Sequence, residues 1–293
     1  MTPLSGQSVL ITGAAHGIGA ETARRLAARG ARVSLVGLGD LEAVAADCPG
    51  AVWFEADVTD RDALDAAVAG TVEALGGIDT VFANAGIASA GFVRTMDPEA
   101  FERVIEVNLV GVWRTVRACL PHVIERRGYV LAVASMAAIL PPVGLAAYGA
   151  AKSGVEGFGH GLRAAVQGFG VDVGVAYFSW IDTEMVRGAD RTELGATMRG
   201  MLKGPLARTY PVSAAAEAVV RGIEQRTRIV AVPRWLVALM WLKPILPRVT
   251  EIVLRRDIAR FDEIAEREAR ERGNQPVGAG GAAERAARAA RVG

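Results

Sequence analysis

The sequence predicts an α/β fold, a doubly wound parallel sheet with helices on both faces, in a single domain with a C-terminal helical extension. Two observations carry that expectation. Short β-branched apolar runs alternate with longer amphipathic runs through residues 9–232. The short runs are apolar on successive positions, as strands covered on both faces require. Alternation of this kind closes with right-handed crossovers, which wind the helices onto both sides of one sheet.

The elements follow in order. Residues 9–12 read as a strand and 20–29 as a helix ended by Gly30. A strand over 32–36, a short helix over 41–47 and a strand over 52–55 come next. The helix over 61–75 has Thr59 or Asp60 to cap its free N–H groups and Gly76 and Gly77 to stop it. Residues 80–83 form a strand, 98–127 one or two helices, 129–134 a strand and 147–167 a helix. The last strands are 171–177 and 228–232. No charged residue lies between Arg127 and Lys152, but Ser135, Pro141, Pro142 and Gly144 interrupt that stretch. A membrane span needs ~20 mainly apolar residues, and a buried strand followed by an apolar loop fits better.

Composition narrows the function classes. The chain has 293 residues, 51% apolar and 22% charged, which is globular usage. A net charge of +1 creates no field that would recruit nucleic acid. Two separated cysteines, Cys48 and Cys119, exclude a disulfide scaffold and a zinc site and fit a reducing compartment. Residues 1–10 lack the basic start and apolar stretch of a secretory signal, so a cytoplasmic protein is expected. The divisions expected are an α/β domain over 1–233, an apolar and helical extension over 234–273, and a disordered tail over 274–293 that is rich in Gly, Ala and Arg.

Residues 12–19 read Thr-Gly-Ala-Ala-His-Gly-Ile-Gly, directly after a strand and opening a helix. Gly13, Gly17 and Gly19 allow a tight turn and close approach of a ligand. The helix N-terminus then offers free N–H groups and a positive dipole end to a pyrophosphate. The spacing is G-x3-G-x-G rather than the G-x-G-x-x-G of other dinucleotide folds. Asp57-Val58 follows the third strand, Asn84-Ala85-Gly86 the fourth, and Tyr148-Gly-Ala-Ala-Lys152 lies downstream. In this order and spacing the motifs resemble the short-chain dehydrogenase/reductase family over about residues 5–233, which implies a Rossmann-type fold and hydride transfer with a nicotinamide cofactor.

Tyr148 and Lys152 are four apart, so on a helix they share a face. An ammonium beside a phenol favours phenolate, so the Tyr148 pKa is expected below its ordinary value of ~10. Ser135 ends an apolar strand, where an open parallel sheet places its ligand crevice. The resemblance implies that Ser135 hydrogen-bonds the substrate oxygen and that Tyr148 passes the proton. It also implies that Lys152 holds the nicotinamide ribose and that Asn108 anchors a water in the relay. It places His16 and Ile18 in the phosphate loop, Asp57 and Val58 at adenine, and Asn84, Ala85 and Gly86 beside adenosine. Ile181 and Thr183 fall at the carboxamide, although the family's usual Pro-Gly after the sixth strand is Phe178-Ser179 here.

The cofactor is NAD or NADP, with a lean to NADP. Family members that use NAD place an acid at the end of the second strand, where this chain has Gly37 followed by Leu38. His16 aids a 2′-phosphate only when protonated, and Asp40 is the alternative ribose ligand if that strand ends later. Met136, Ile139, Leu140, Val143 and Leu145, with Met185, Met198, Met201, Leu202 and Tyr210, suggest an apolar, medium-sized alcohol or ketone, with Trp180 closing the pocket. The stretch 235–246 carries Trp235 and Trp241; extra core, a cap on the pocket, a subunit contact and a membrane-surface anchor are its alternatives, with cap or subunit contact ahead of membrane. By the resemblance, helices in 98–127 and 147–167 pair subunits into a homodimer or homotetramer. Gly154, Gly157, Gly159 and Gly161 would allow close approach there. A nucleotide-sensing binding protein on the same fold is the alternative function.

Overall fold

Seven parallel strands form one sheet: β1 (Ser8–Thr12), β2 (Arg32–Gly37), β3 (Val52–Glu55), β4 (Thr80–Ala83), β5 (Tyr129–Val133), β6 (Asp172–Phe178) and β7 (Ile229–Val232). Their order is β3-β2-β1-β4-β5-β6-β7. The computed structural model describes residues 3–292. The chain winds outward to one side through β2 and β3, then returns and continues through β4 on the other side of β1. The order reverses between β1 and β4, where Val9 pairs with Thr80 and Ile11 with Phe82. Doubly wound sheets hold their ligands at such a point, outside the carboxyl ends of the strands.

Every residue of β1, β4 and β5 is buried, and successive side chains feed opposite faces. Val9 and Ile11 join a core with Leu26 of α1 (Gly17–Ala27) and Val219 of α9 (Val212–Gln225). Leu10 faces the other way, toward Leu64 of α3 (Arg61–Leu75), Val116 of α5 (Gly111–Glu125) and Val155 of α6 (Ala146–Val166). Asp60 caps α3 by accepting from Ala63 N–H, and Gly76 ends it at a φ of 75°.

The expected helical stretch 98–127 is α4 (Pro98–Ile105) and α5 joined by a π-helical turn, Glu106–Val110. The extra residue in such a turn re-aims a side chain, and here Asn108 sits in it. The four glycines of α6 do not form one contact stripe. A Cβ on Gly154 would meet Leu109 at 2.8 Å and one on Gly159 would meet Val175 at 2.5 Å, so both pack inward. Positions 157 and 161 have open space.

The C-terminal portion departs from expectation in two ways. Residues 274–293, expected as a disordered tail, contain α13 (Gly278–Val292). It packs on α7 (Glu184–Asp190), where a Cβ on Gly278 would fall 2.6 Å from the Met185 nitrogen. Glycine makes that docking possible without large apolar side chains. The Trp235–Leu246 region instead forms α10 (Leu236–Met240) and the start of α11 (Leu246–Leu254), with Leu236 and Leu246 buried and much of the rest exposed. The chain then runs through α12 (Ile258–Arg272). Among the described residues no helix is long and apolar enough to cross a membrane.

Candidate active site

The carboxyl ends of β1, β2, β4, β5 and β6 open onto one cleft, and most of the expected site residues meet there. Gly13, His16, Gly17 and Ile18 form its floor at the start of α1. Gly13 has a φ of 65°, and a Cβ on it would lie 2.8 Å from Ala85 Cα. Only glycine permits this crossing of the two loops. Gly19 does not line the cleft. A Cβ there would strike the Gly13 carbonyl at 2.3 Å, so this glycine lets helix and loop pack.

Asn84 serves the same purpose from the other side. Its amide donates to the Thr12 and Gly13 carbonyls at 3.1 and 3.2 Å. Thr12 Oγ1 accepts from the Asn84 and Ala85 N–H groups. Asn84 thus fixes the shape of the phosphate-type loop, while Ala85 and Gly86 continue the wall. Asp57 and Val58 line the far end with Gly37 and Leu38. Burial raises the Asp57 pKa, but the Thr59 N–H and the Arg103 guanidinium outweigh it and hold the carboxyl below its ordinary value. Asp40, the alternative ribose ligand, instead caps α2 (Leu41–Ala46) by accepting from Ala43 N–H at 2.9 Å.

Ser135, Tyr148 and Lys152 converge on the cleft from β5 and α6. Ser135 follows β5 and accepts from Ala137 N–H at 3.1 Å. Lys152 is 3% exposed, and its Nζ donates to the Val133 carbonyl at 2.9 Å and lies 5.6 Å from the Tyr148 ring centre. The expected lowering of the Tyr148 pKa does not hold in this arrangement. Burial raises the phenol pKa, partly offset by a hydrogen bond with Ser135. Burial also lowers the Lys152 pKa to about 7. Desolvation acts on both groups, and the lysine's hydrogen bond goes to the Val133 carbonyl.

Asn108 completes the group. Its Nδ2 donates to the Ile87 and Val104 carbonyls at 2.9 and 2.8 Å. Its buried Oδ1 has no partner among the described residues. A Cβ on Gly86 would lie 2.6 Å from that oxygen and 3.5 Å from Lys152 Nζ. A buried acceptor left free beside a cleft suits a donor from solvent or ligand. This free acceptor and the glycine cradle fit a dinucleotide.

Ile181 and Thr183 reach the cleft despite the Phe178-Ser179 substitution. Ser179 N–H donates to Val232 at 2.9 Å, and Ile181 bridges to Tyr210. Trp180 does not close the pocket. It lies under the Arg199 guanidinium, 4.1 Å from the ring centre. Of the apolar residues expected to flank substrate, Met185 lines the cleft, whereas Ile139 is buried in the core.

The reading of the sequence missed the wall formed by α13. Gly280 and Glu284 line the cleft. Arg103 Nε donates to Glu284 at 2.6 Å, its Nη2 to Asp57 at 2.9 Å and its Nη1 to Thr59 at 3.0 Å. Ahead of the helix, Asn274 donates to Ala90, accepts from Asp97 N–H and takes the Ser89 hydroxyl on its carbonyl. One signal was present: Glu284 is the sole acid in residues 274–293.

Comparison with known proteins agrees with this geometry. A family model described as short chain dehydrogenase matches residues 7–194. A (-)-trans-carveol dehydrogenase from Rhodococcus erythropolis is 34% identical over 208 residues, 64% of this chain and 75% of that protein. A 3-oxoacyl-[acyl-carrier-protein] reductase MabA from Mycobacterium avium is 36% identical over 192 residues, 65% of this chain and 73% of that protein. The crystal structure of a short chain dehydrogenase from Mycobacterium paratuberculosis bound to NAD superposes with a TM-score of 0.68 at 26% identity, covering 78% of this chain and 96% of that one. The chain belongs to the short-chain dehydrogenase/reductase family and is an NAD(P)-dependent oxidoreductase of alcohol/ketone pairs.

Proposed function

We propose that Tyr148 is the proton-transfer residue of a reaction on an apolar, medium-sized alcohol or ketone, with Ser135, Lys152 and Asn108 as its partners. The observation that carries this reading is the meeting of the Ser135 hydroxyl, the Tyr148 phenol and the buried Lys152 amine in one cleft, beside the free Oδ1 of Asn108. When bound, the nicotinamide supplies or accepts the hydride. Ser135 donates a hydrogen bond to the substrate oxygen. In reduction Tyr148 gives that oxygen its proton, and in oxidation the phenolate takes it back. A lysine with a pKa of about 7 gains charge readily when a phenolate forms beside it. Asn108 Oδ1 accepts the proton donor that next refills the relay.

Met185 and Val186, with Ile87, give the cleft apolar walls near these groups, which supports an apolar substrate. The cofactor-binding set is Gly13, His16, Gly17, Ile18, Gly37, Leu38, Asp57, Val58, Ala85, Gly86, Ile181 and Thr183, with Asn84 and Gly19 shaping the loop. We lean to NADP because β2 ends on Gly37 and is followed by Leu38, with no acid there, and Asp40 is engaged as a cap. We place the enzyme in the cytoplasm, as its two buried free cysteines suit a reducing compartment. Exposed Trp113 on α5 and the open positions 157 and 161 on α6 support a homodimer or homotetramer through these helices, which light scattering tests. A panel of alcohols and ketones scanned with both nicotinamide cofactors tests the function. Turnover of apolar members, faster with the phosphorylated cofactor, is expected. Turnover confined to small polar substrates would overturn the substrate reading.

A further inference from the structure

The described residues include fourteen large apolar side chains that are exposed, and eight of them lie between Val237 and Ile258. Trp241 is 86% exposed, Ile252 68% and Val253 62%. Ile245, Val249 and Ile252 recur at i, i+4 and i+7, so they form one outward stripe along α11. The helix is held to the body by buried Leu246, with Leu254 packed against the group around Phe261. None of this segment lines the cleft, so the expectation of a pocket cap does not account for it.

The charges around the stripe have one dominant sign. Residues 234–260 hold Arg234, Lys243, Arg248, Arg255, Arg256 and Arg260 against Glu251 and Asp257, a net of +4 from six positive and two negative groups. The whole chain is only +1, so the remainder is −3. Lys243 pairs with Glu156. The five arginines are exposed and have no ion-pair partner among the described residues. A second copy of this chain would bring the same cations against these. An anionic lipid surface would neutralise them while taking up the tryptophan and aliphatic groups.

We propose that α10, α11 and the loop between them seat the enzyme on an anionic lipid bilayer surface. The apolar stripe enters the headgroup boundary, Trp241 anchors one end, and the arginines meet lipid phosphates. The helices are too short to span, so the attachment is peripheral and weakens with salt. No residue of α10, α11 or the loop between them lines the cleft, so bound enzyme keeps its active site.

Vesicle flotation tests this, with phosphatidylcholine vesicles alone or mixed with phosphatidylglycerol. The full chain is expected to float with the mixed vesicles, to be released by salt, and to shift its tryptophan emission to the blue. Trp241→Phe should remove most of that shift. Arg255→Ala with Arg256→Ala should weaken binding about 30-fold, at roughly fivefold per basic residue near such a surface. Ile252→Asp with Val253→Asp should abolish it while solution turnover remains unchanged, which also reports that the variant folds. Absence of flotation by the full chain would overturn the proposal. So would equal, salt-insensitive binding to neutral vesicles, or a dimer without vesicle affinity that this aspartate pair dissociates.

Discussion

The two ends of the C-terminal extension invert what their compositions suggest. Segment 235–246 is strongly apolar, yet Val237, Trp241, Leu242 and Ile245 face outward. Segment 274–292 is rich in Gly, Ala and Arg, yet it docks over the cleft. Apolarity states that a surface favours burial but does not name what covers it. Docking here depends on fit: Gly278 against the Met185 backbone, Asn274 with three hydrogen bonds into loop 88–97, and the Glu284–Arg103 pair. The first region awaits a partner outside the molecule, and the second completes the molecule's own site.

The sharpest way to break this contrast is to delete residues after Gly273. If α13 is a wall of the cleft, cofactor affinity should fall about tenfold, near 1.4 kcal/mol, as read by isothermal titration. Gly278→Val, whose side chain cannot fit against α7, should move affinity the same way with the chain intact. Unchanged affinity in both would return this segment to the status of a dispensable tail. Glu284→Gln is a smaller perturbation, because Arg103 is partly exposed and keeps Asp57. Its cofactor dissociation constant should rise about threefold, within the range of a partly exposed ion pair. A tenfold rise would mean that Glu284 does more than hold Arg103. The smallest effect belongs to the other region: Ile252→Asp with Val253→Asp should leave cofactor affinity and turnover in solution unaltered. A loss of turnover in soluble, folded variant would tie α11 to the site.

Much of the fold was legible because strands buried on both faces read as unbroken apolar runs. All seven fall within a residue of the positions expected. The chemistry-bearing residues were legible because each follows a strand end or occupies one helix face. Contacts that span the chain were not. Arg103 and Glu284 are 181 residues apart, and no local pattern links them. Gly19 was assigned to the ligand because a glycine-rich loop does not distinguish ligand approach from helix–loop packing. Trp180 reads as a lid until Arg199 is seen stacked on it.

The spacing of Tyr148 and Lys152 was legible, but the sign of the phenol's shift was not, because burial outweighs sequence proximity. This has a measurable consequence. The folded chain binds the Lys152 proton less tightly than the unfolded chain, with a pKa of about 7 against an ordinary 10.5. Between those values the unfolded state carries more protons, so this group makes stability rise with pH. Thermal unfolding of the cofactor-free protein should show that rise from about pH 7 to about pH 9, and Lys152→Met should flatten it. An identical slope in the variant would mean that Lys152 is solvated in the native state.

The Tyr148 hydroxyl is proposed to carry the reaction's proton. Transfer of deuteride from a labelled reduced nicotinamide to an apolar ketone, compared between wild type and Tyr148→Phe, tests it most directly. The variant should keep its fold and its cofactor affinity while transfer falls by about 10²–10⁴-fold, the usual worth of a positioned acid–base group. Transfer at a near-normal rate would contradict the assignment.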